Sequence, residues 1–132
     1  MIKGLSHLGV AVKDLEEARE FYRTVYGLES GEPIIGGGGT VKVSMIELEN
    51  AVVELVAPLT PDSAIAKFLE KRGEGIHHIC YEVDDINAEI ELLKTKGIEA
   101  LGKPMPGAEG LSAFLHPKGT HGILVELVQK KE

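Results

Sequence analysis

Apolar residues recur along this chain in two rhythms, every second position in some stretches and every third or fourth in others. Residues 5–12 alternate or run apolar and read as a strand. Asp14 and Glu17 then form a D-x-x-E capping box, and Leu15, Ala18, Tyr22 and Val25 follow at helical spacing until Gly27 stops the helix. Strand candidates lie at 40–48 and 51–57, and "GGGG" at 36–39 reads as a turn before a strand, since no helix opens behind it as a phosphate loop would need. The second half repeats the order. Asp85 opens a helix through Ile86, Ile90 and Leu93 that stops at Gly97, and strand candidates follow near 98–101, 111–115 and 123–129. Between the halves, "PLTPDS" supplies a turn and cap, and Ile65, Phe68 and Leu69 predict a helix over 63–72 that ends before Gly73 and Gly75.

The two halves are copies. "LSHLGVAVKDLEEA" from Leu5 aligns with "IHHICYEVDDINAE" from Ile76 at a constant offset of 71, which sets His7 on His78 and Asp14 on Asp85. "VVELV" at 52–56 aligns with "LVELV" at 124–128 at an offset of 72, which sets Glu54 on Glu126. The pattern predicts an α+β fold of two tandem βαβββ modules forming a metal-centred cleft between curved mixed sheets. Module one spans about 4–57, a linker helix about 60–73 and module two about 75–130, within one domain over 1–132.

The repeat carries chemistry because it repeats something costly. A glutamate amid four aliphatic strand residues must face solvent, shift its pKa, or find a partner or a metal. Two modules placed together would turn His7, Glu54, His78 and Glu126 toward one centre. Two imidazoles and two carboxylates suit borderline divalent cations such as Co²⁺, Ni²⁺, Zn²⁺, Mn²⁺ or Fe²⁺ and would leave positions open for substrate oxygens. Strand alternation sends His77 to the opposite face from His78. Cys80 stands alone, which argues against thiolate ligation. His116 and His121 read as turn residues, Tyr22 and Tyr26 as helix packing, and Lys130, Lys131 and Glu132 as a solvated tail.

Composition narrows the partners. The 132 residues are 43% hydrophobic and 27% charged, which suits one folded domain with a real core. A net charge of −7 argues against a nucleic-acid surface, and no apolar run is long enough to span a membrane. A single cysteine rules out an internal disulfide framework and points to a reducing, cytoplasmic setting.

Nearly the whole chain resembles the vicinal-oxygen-chelate superfamily. Within it "HLGVAVKDLEEAREFY", "VELVAPLTPDSAIAKFLEKRGEGIHHICYEVDDI" and "FLHPKGTHGILVELVQ" are similar to the methylmalonyl-CoA epimerase family. The resemblance implies an isomerase that interconverts (R)- and (S)-methylmalonyl-CoA by C2 proton abstraction and reprotonation through a metal-stabilised enolate, with Co²⁺ favoured and Ni²⁺, Mn²⁺ or Zn²⁺ as alternatives. It implies His7, Glu54, His78 and Glu126 as metal ligands, Glu126 also as catalytic base, a homodimer, and a place in propionate metabolism. The sequence departs from the family at two points: several of its epimerases have glutamine at the position of Glu54, and a second catalytic glutamate expected within a stretch like "VKVSMIEL" is Val43 here. Glu54 is then the candidate for the second catalytic role, with Glu47 as the fallback. Coenzyme A phosphates would favour surface lysines such as Lys67, Lys71, Lys103 or Lys118. The alternative activity is that of glyoxalase I (lactoylglutathione lyase) on the methylglyoxal–glutathione hemithioacetal. A metal-free binding module of the antibiotic-sequestering kind and an extradiol-type dioxygenase fit the four-ligand set less well.

Overall fold

The computed structural model describes residues 1–107 and 109–131. Eight strands and three α-helices appear among them: β1 (Ile2–Ala11), α1 (Leu15–Tyr26), β2 (Ile34–Gly36), β3 (Val41–Glu47), β4 (Val52–Pro58), α2 (Ala64–Arg72), β5 (Gly75–Val83), α3 (Ile86–Thr95), β6 (Met105–Pro106), β7 (Gly110–Phe114) and β8 (Val125–Lys130). The chain divides into two compact units, one of Leu8–His77 and one of Met1–His7 with His78–Glu132. The division cuts β1 after His7 and β5 before His78, so both repeated histidines belong to the second of these units.

The helix signals act as the residues predict. The Asp14 carboxylate accepts from the Glu17 amide at 3.0 Å and opens α1, and Gly27 closes it in the left-handed conformation at φ 69°. Asp85 opens α3 by accepting from the Ala88 amide at 3.1 Å, and Ser63 opens α2 by accepting from the Ala66 amide at 3.0 Å. In the Leu8–His77 unit, β2, β3 and β4 are antiparallel neighbours in the order β2–β3–β4. Alternation gives the β3–β4 pair two apolar faces. One packs Ile46, Leu55 and Ala57 on Leu15 of α1, and the other packs Val43 and Val56 on Ile65 of α2, with Phe68 and Leu69 at its margin.

In the other unit β8 pairs parallel with β5 and antiparallel with β7, and β6 closes the edge of β7. Its core packs Val83, Ala113, Leu115 and Leu127 against Ile86 of α3, with Ile90 and Leu93 alongside. Four expectations are corrected. Val25 is 58% exposed, because only Leu15, Ala18 and Tyr22 of α1 meet the sheet. Residues 98–101 make one isolated bridge, Ala100 to Leu115, instead of a strand, while the short strands β2 and β6 were not anticipated. Lys130 closes β8 opposite Gly110 instead of starting a tail, and Glu132 lies outside the described residues. No helix among the described residues is long and apolar enough to cross a membrane.

Candidate metal centre

Strand period and register bring the site together. His78 and Cys80 are two apart on β5 and share a face, and the parallel register sets Cys80 opposite Glu126 on β8. Phe114 of β7 sits opposite Glu126 on its other side, and its ring meets the His78 imidazole edge to face at 5.5 Å between centroids. His7, near the middle of β1, is 3% exposed and His78 is 5% exposed. His7 Nε2 lies 3.0 Å from His78 Nε2, and Glu126 Oε1 lies 3.1 Å from the first and 3.2 Å from the second.

That triangle tests the fit to a cation. Three lone pairs this close repel unless something positive lies between them, either shared protons or a metal ion. Two ligand atoms at right angles around a metal, each about 2.1 Å from it, stand about 3.0 Å apart. The observed separations match, and two imidazole nitrogens with one carboxylate oxygen are the donor types a borderline divalent cation takes. Burial raises the Glu126 carboxyl, but the His7 and His78 imidazoles overcome that and hold it down to about 2. It is therefore ionised throughout the neutral range, as a ligand must be.

Within the unit of Met1–His7 and His78–Glu132 the structure thus brings His7, His78 and Glu126 together. Glu54 belongs to the Leu8–His77 unit, where it is partly buried on β4 opposite Met45. Val43 is packed with Ala11, Val56 and Ile65 in an apolar cluster. Glu47 ends β3 exposed. His77 points away from His78, as alternation requires, and its ring lies 5.0 Å from that of Phe68. His116 caps a short 3-10 turn by accepting from the Lys118 amide, and His121 is exposed at a positive φ of 56°. Lys67, Lys71, Lys103 and Lys118 are exposed, and the first two line a groove with Arg72, Phe68 and His77.

Sequence reasoning missed two neighbours. Cys80 does not stand alone: its sulfur falls within 4.8 Å of donor atoms of His7 and Glu126. Alternation from His78 was the available signal. Burial pushes its thiol up to about 11, so in the metal-free protein it is a neutral thiol beside the donor triangle. The second is Glu109, in the turn between β6 and β7. Its Oε1 lies 2.8 Å from His7 Nδ1, and the buried Ser6 hydroxyl donates to the same carboxylate at 3.2 Å. The His7 contact lowers its pKa below the ordinary glutamate value, so it accepts as a carboxylate. No local signal marks it, because its partner lies 102 positions away.

A family model described as the Glyoxalase/Bleomycin resistance protein/Dioxygenase superfamily matches residues 6–114. An ethylmalonyl-CoA/methylmalonyl-CoA epimerase of Cereibacter sphaeroides is 48% identical over 98% of this chain and 99% of its own. The mitochondrial methylmalonyl-CoA epimerase of Bos taurus is 47% identical over 95% of this chain and 73% of its own. A solved methylmalonyl-CoA epimerase in complex with methylmalonyl-CoA and NH4+ superposes with a TM-score of 0.92 at 34% identity, covering 98% of this chain and 96% of the other.

Proposed function

The chain belongs to the glyoxalase/bleomycin resistance protein/dioxygenase superfamily, and from that premise we propose that it is a divalent-metal-dependent isomerase interconverting (R)- and (S)-methylmalonyl-CoA. The observation that carries the reading is the convergence of His7 Nε2, His78 Nε2 and Glu126 Oε1 within 3.2 Å of one another, in a chain nearly half identical to epimerases of that substrate.

His7, His78 and Glu126 would hold the cation, and Glu54, the repeat mate of Glu126, would complete the set. A divalent ion bound there would supply electrostatic stabilisation of negative charge as the C2 proton leaves. The protein's own work is proton movement. The Glu126 carboxylate, ionised at neutral pH, accepts the proton from one face of C2. Inversion needs an acid on the other face, and Glu54 takes that role, since Val43 carries no proton. The burial of His78 under Phe114 keeps the triangle sheltered, so the charges act in a medium less screening than water.

The rest of the reading follows the same family. The two modules work as one domain over 1–132, and the enzyme is a cytoplasmic homodimer loaded with Co²⁺ in preference to Ni²⁺, Mn²⁺ or Zn²⁺. Lys67 and Lys71, beside Phe68 and Arg72, receive coenzyme A phosphates more readily than Lys103 or Lys118, because their groove adds an aromatic face to the positive charge. Such an enzyme links propionyl-CoA and succinyl-CoA within propionate metabolism.

Proton NMR of methylmalonyl-CoA in D₂O tests the reading, with protein before and after chelation and after Co²⁺ is restored. Loss of the C2 proton signal only when metal is present is the expected result. A signal that persists with metal bound refutes the epimerase, and the glyoxalase I substrate, the glutathione hemithioacetal of methylglyoxal, is then the next to try.

A further inference from the structure

A metal-binding histidine has to solve a tautomer problem. The nitrogen that meets the cation must be unprotonated, so the ring proton must sit on the other nitrogen, and the partner of that other nitrogen decides whether it does. At His7 the partner is visible. Nε2 faces the donor triangle, and Nδ1 lies 2.8 Å from Glu109 Oε1.

From this juxtaposition we infer that Glu109 is a positioning residue for the metal centre: its carboxylate fixes the proton of His7 on Nδ1 and so presents the Nε2 lone pair to the cation. The inference rests on the metal reading above. Three further observations support it. The Ser6 hydroxyl, on the residue before His7, donates to Glu109 Oε2 at 3.2 Å and Oε1 at 3.4 Å, which holds the carboxylate beside the ring. The Lys131 amide donates to the Glu109 carbonyl at 3.3 Å, and the Gly107 amide donates to the Gly110 carbonyl at 2.7 Å, so the turn that carries Glu109 is tied to itself and to the end of β8. Gly110 then locks it, because a side chain there would strike the Gln129 carbonyl oxygen at 2.1 Å and only a glycine lets the turn lie this close.

The two repeated histidines are therefore not chemically equivalent. Subtracting the repeat offsets of 71 and 72 from Glu109 lands on Gly38 and Gly37, neither of which can supply a carboxylate. Glu109 is an addition to the second module alone.

The test uses the full chain with Glu109→Ala and Glu109→Gln. Proton–nitrogen correlation spectra of the histidine rings in metal-free protein report which nitrogen of His7 carries hydrogen, and competition with a chromophoric chelator reports Co²⁺ affinity. The parent is expected to carry the His7 proton on Nδ1. Glu109→Ala is expected to move it to Nε2 and to weaken Co²⁺ binding by about 10- to 100-fold. Glu109→Gln, whose amide oxygen still accepts, is expected to keep the proton on Nδ1 and restore most of the affinity. A parent with Nδ1 unprotonated overturns the inference whatever the variants do. So does a Glu109→Ala variant that keeps the Nδ1 proton and binds Co²⁺ within about twofold of the parent. A parent that binds no Co²⁺ at all sinks the metal reading itself and takes this inference with it, so the two failures look different.

Discussion

Replacing Gly110 by alanine is a sharp perturbation because its cost can be worked from two independent terms. The residue has φ 148°, a conformation that side chains rarely adopt, which costs on the order of 1–3 kcal/mol for a residue with a Cβ. The added carbon would lie 2.1 Å from the Gln129 carbonyl oxygen and 2.9 Å from Lys130 Cα. Both belong to the backbone of β8, which cannot swing aside as a flexible side chain would. The pairing of Gly110 with Lys130 must open, and each ladder hydrogen bond lost costs about 1 kcal/mol. With one or two such bonds lost the total is about 2–5 kcal/mol, equivalent to a fall in Tm of roughly 6–20 °C for a chain of this length. Gly102→Ala separates the terms, since Gly102 also has a positive φ, 86°, but nothing lies within 4 Å of the point its Cβ would occupy. That variant isolates strain and should lose only about 1 kcal/mol. Urea unfolding of both variants, followed by circular dichroism, measures the difference. If the two lose the same stability to within about 0.5 kcal/mol, the close approach of the turn to β8 has no energetic weight, and the argument that it anchors Glu109 fails with it.

Three further outcomes follow. The Cys80 thiol is pushed up from 9.0 to about 11 by burial, so folding favours its neutral form; that advantage is complete below pH 9 and is lost as pH rises toward 11. Metal-free protein should lose about 2–3 kcal/mol across that window, and Cys80→Ala should flatten the change; an identical pH profile for parent and variant counts against it. Glu126→Gln removes the negative charge between the two imidazoles, and Co²⁺ affinity measured by chelator competition should fall by more than about 100-fold, with exchange of the C2 proton abolished; retention of either speaks against its double role. In Glu54→Gln, one epimer of methylmalonyl-CoA should still exchange its C2 proton with D₂O while interconversion stops, and interconversion at the parent rate would remove Glu54 from the reaction.

Local rules made most of the fold legible. Asp14, Ser63 and Asp85 cap the helices that their positions announce, and Gly27 stops α1 where a left-handed residue is needed. Period-two patterning located β1, β3, β4, β7 and β8 to within a few residues. The failures share one cause, which is that only tertiary neighbours decide them. Val25 has helical spacing but overshoots the sheet that buries Leu15, and the two residues of β6, one of them a proline, exist as a strand only because Ser112 and Leu111 stand opposite. Residues 98–101 look like a strand but make a single bridge, Ala100 to Leu115, with Ile98 and Ala100 packed in the cluster beneath α3 and Leu101 left half exposed.

The site divides along the same line, and the division says something about how it is built. His7, His78 and Glu126 were findable because duplication wrote each twice, and a repeated histidine or a repeated glutamate on an apolar strand has no structural purpose that a repeated valine would not serve better. Glu109 was written once. A strictly repeated site would present two equivalent imidazoles, and symmetry alone gives neither ring a reason to keep its proton on a particular nitrogen. A carboxylate 2.8 Å from one Nδ1 breaks that equivalence. On the proposed reading the symmetric part of the site would select the metal, since donor type and number come from the repeat. The asymmetric part sets how firmly one donor is presented. Substitutions at the repeated positions should therefore change whether a metal binds, while substitutions at Glu109 should change how tightly it binds without altering which metals are accepted, a distinction that affinities for Co²⁺, Ni²⁺ and Zn²⁺ measured across the Glu109 variants would expose.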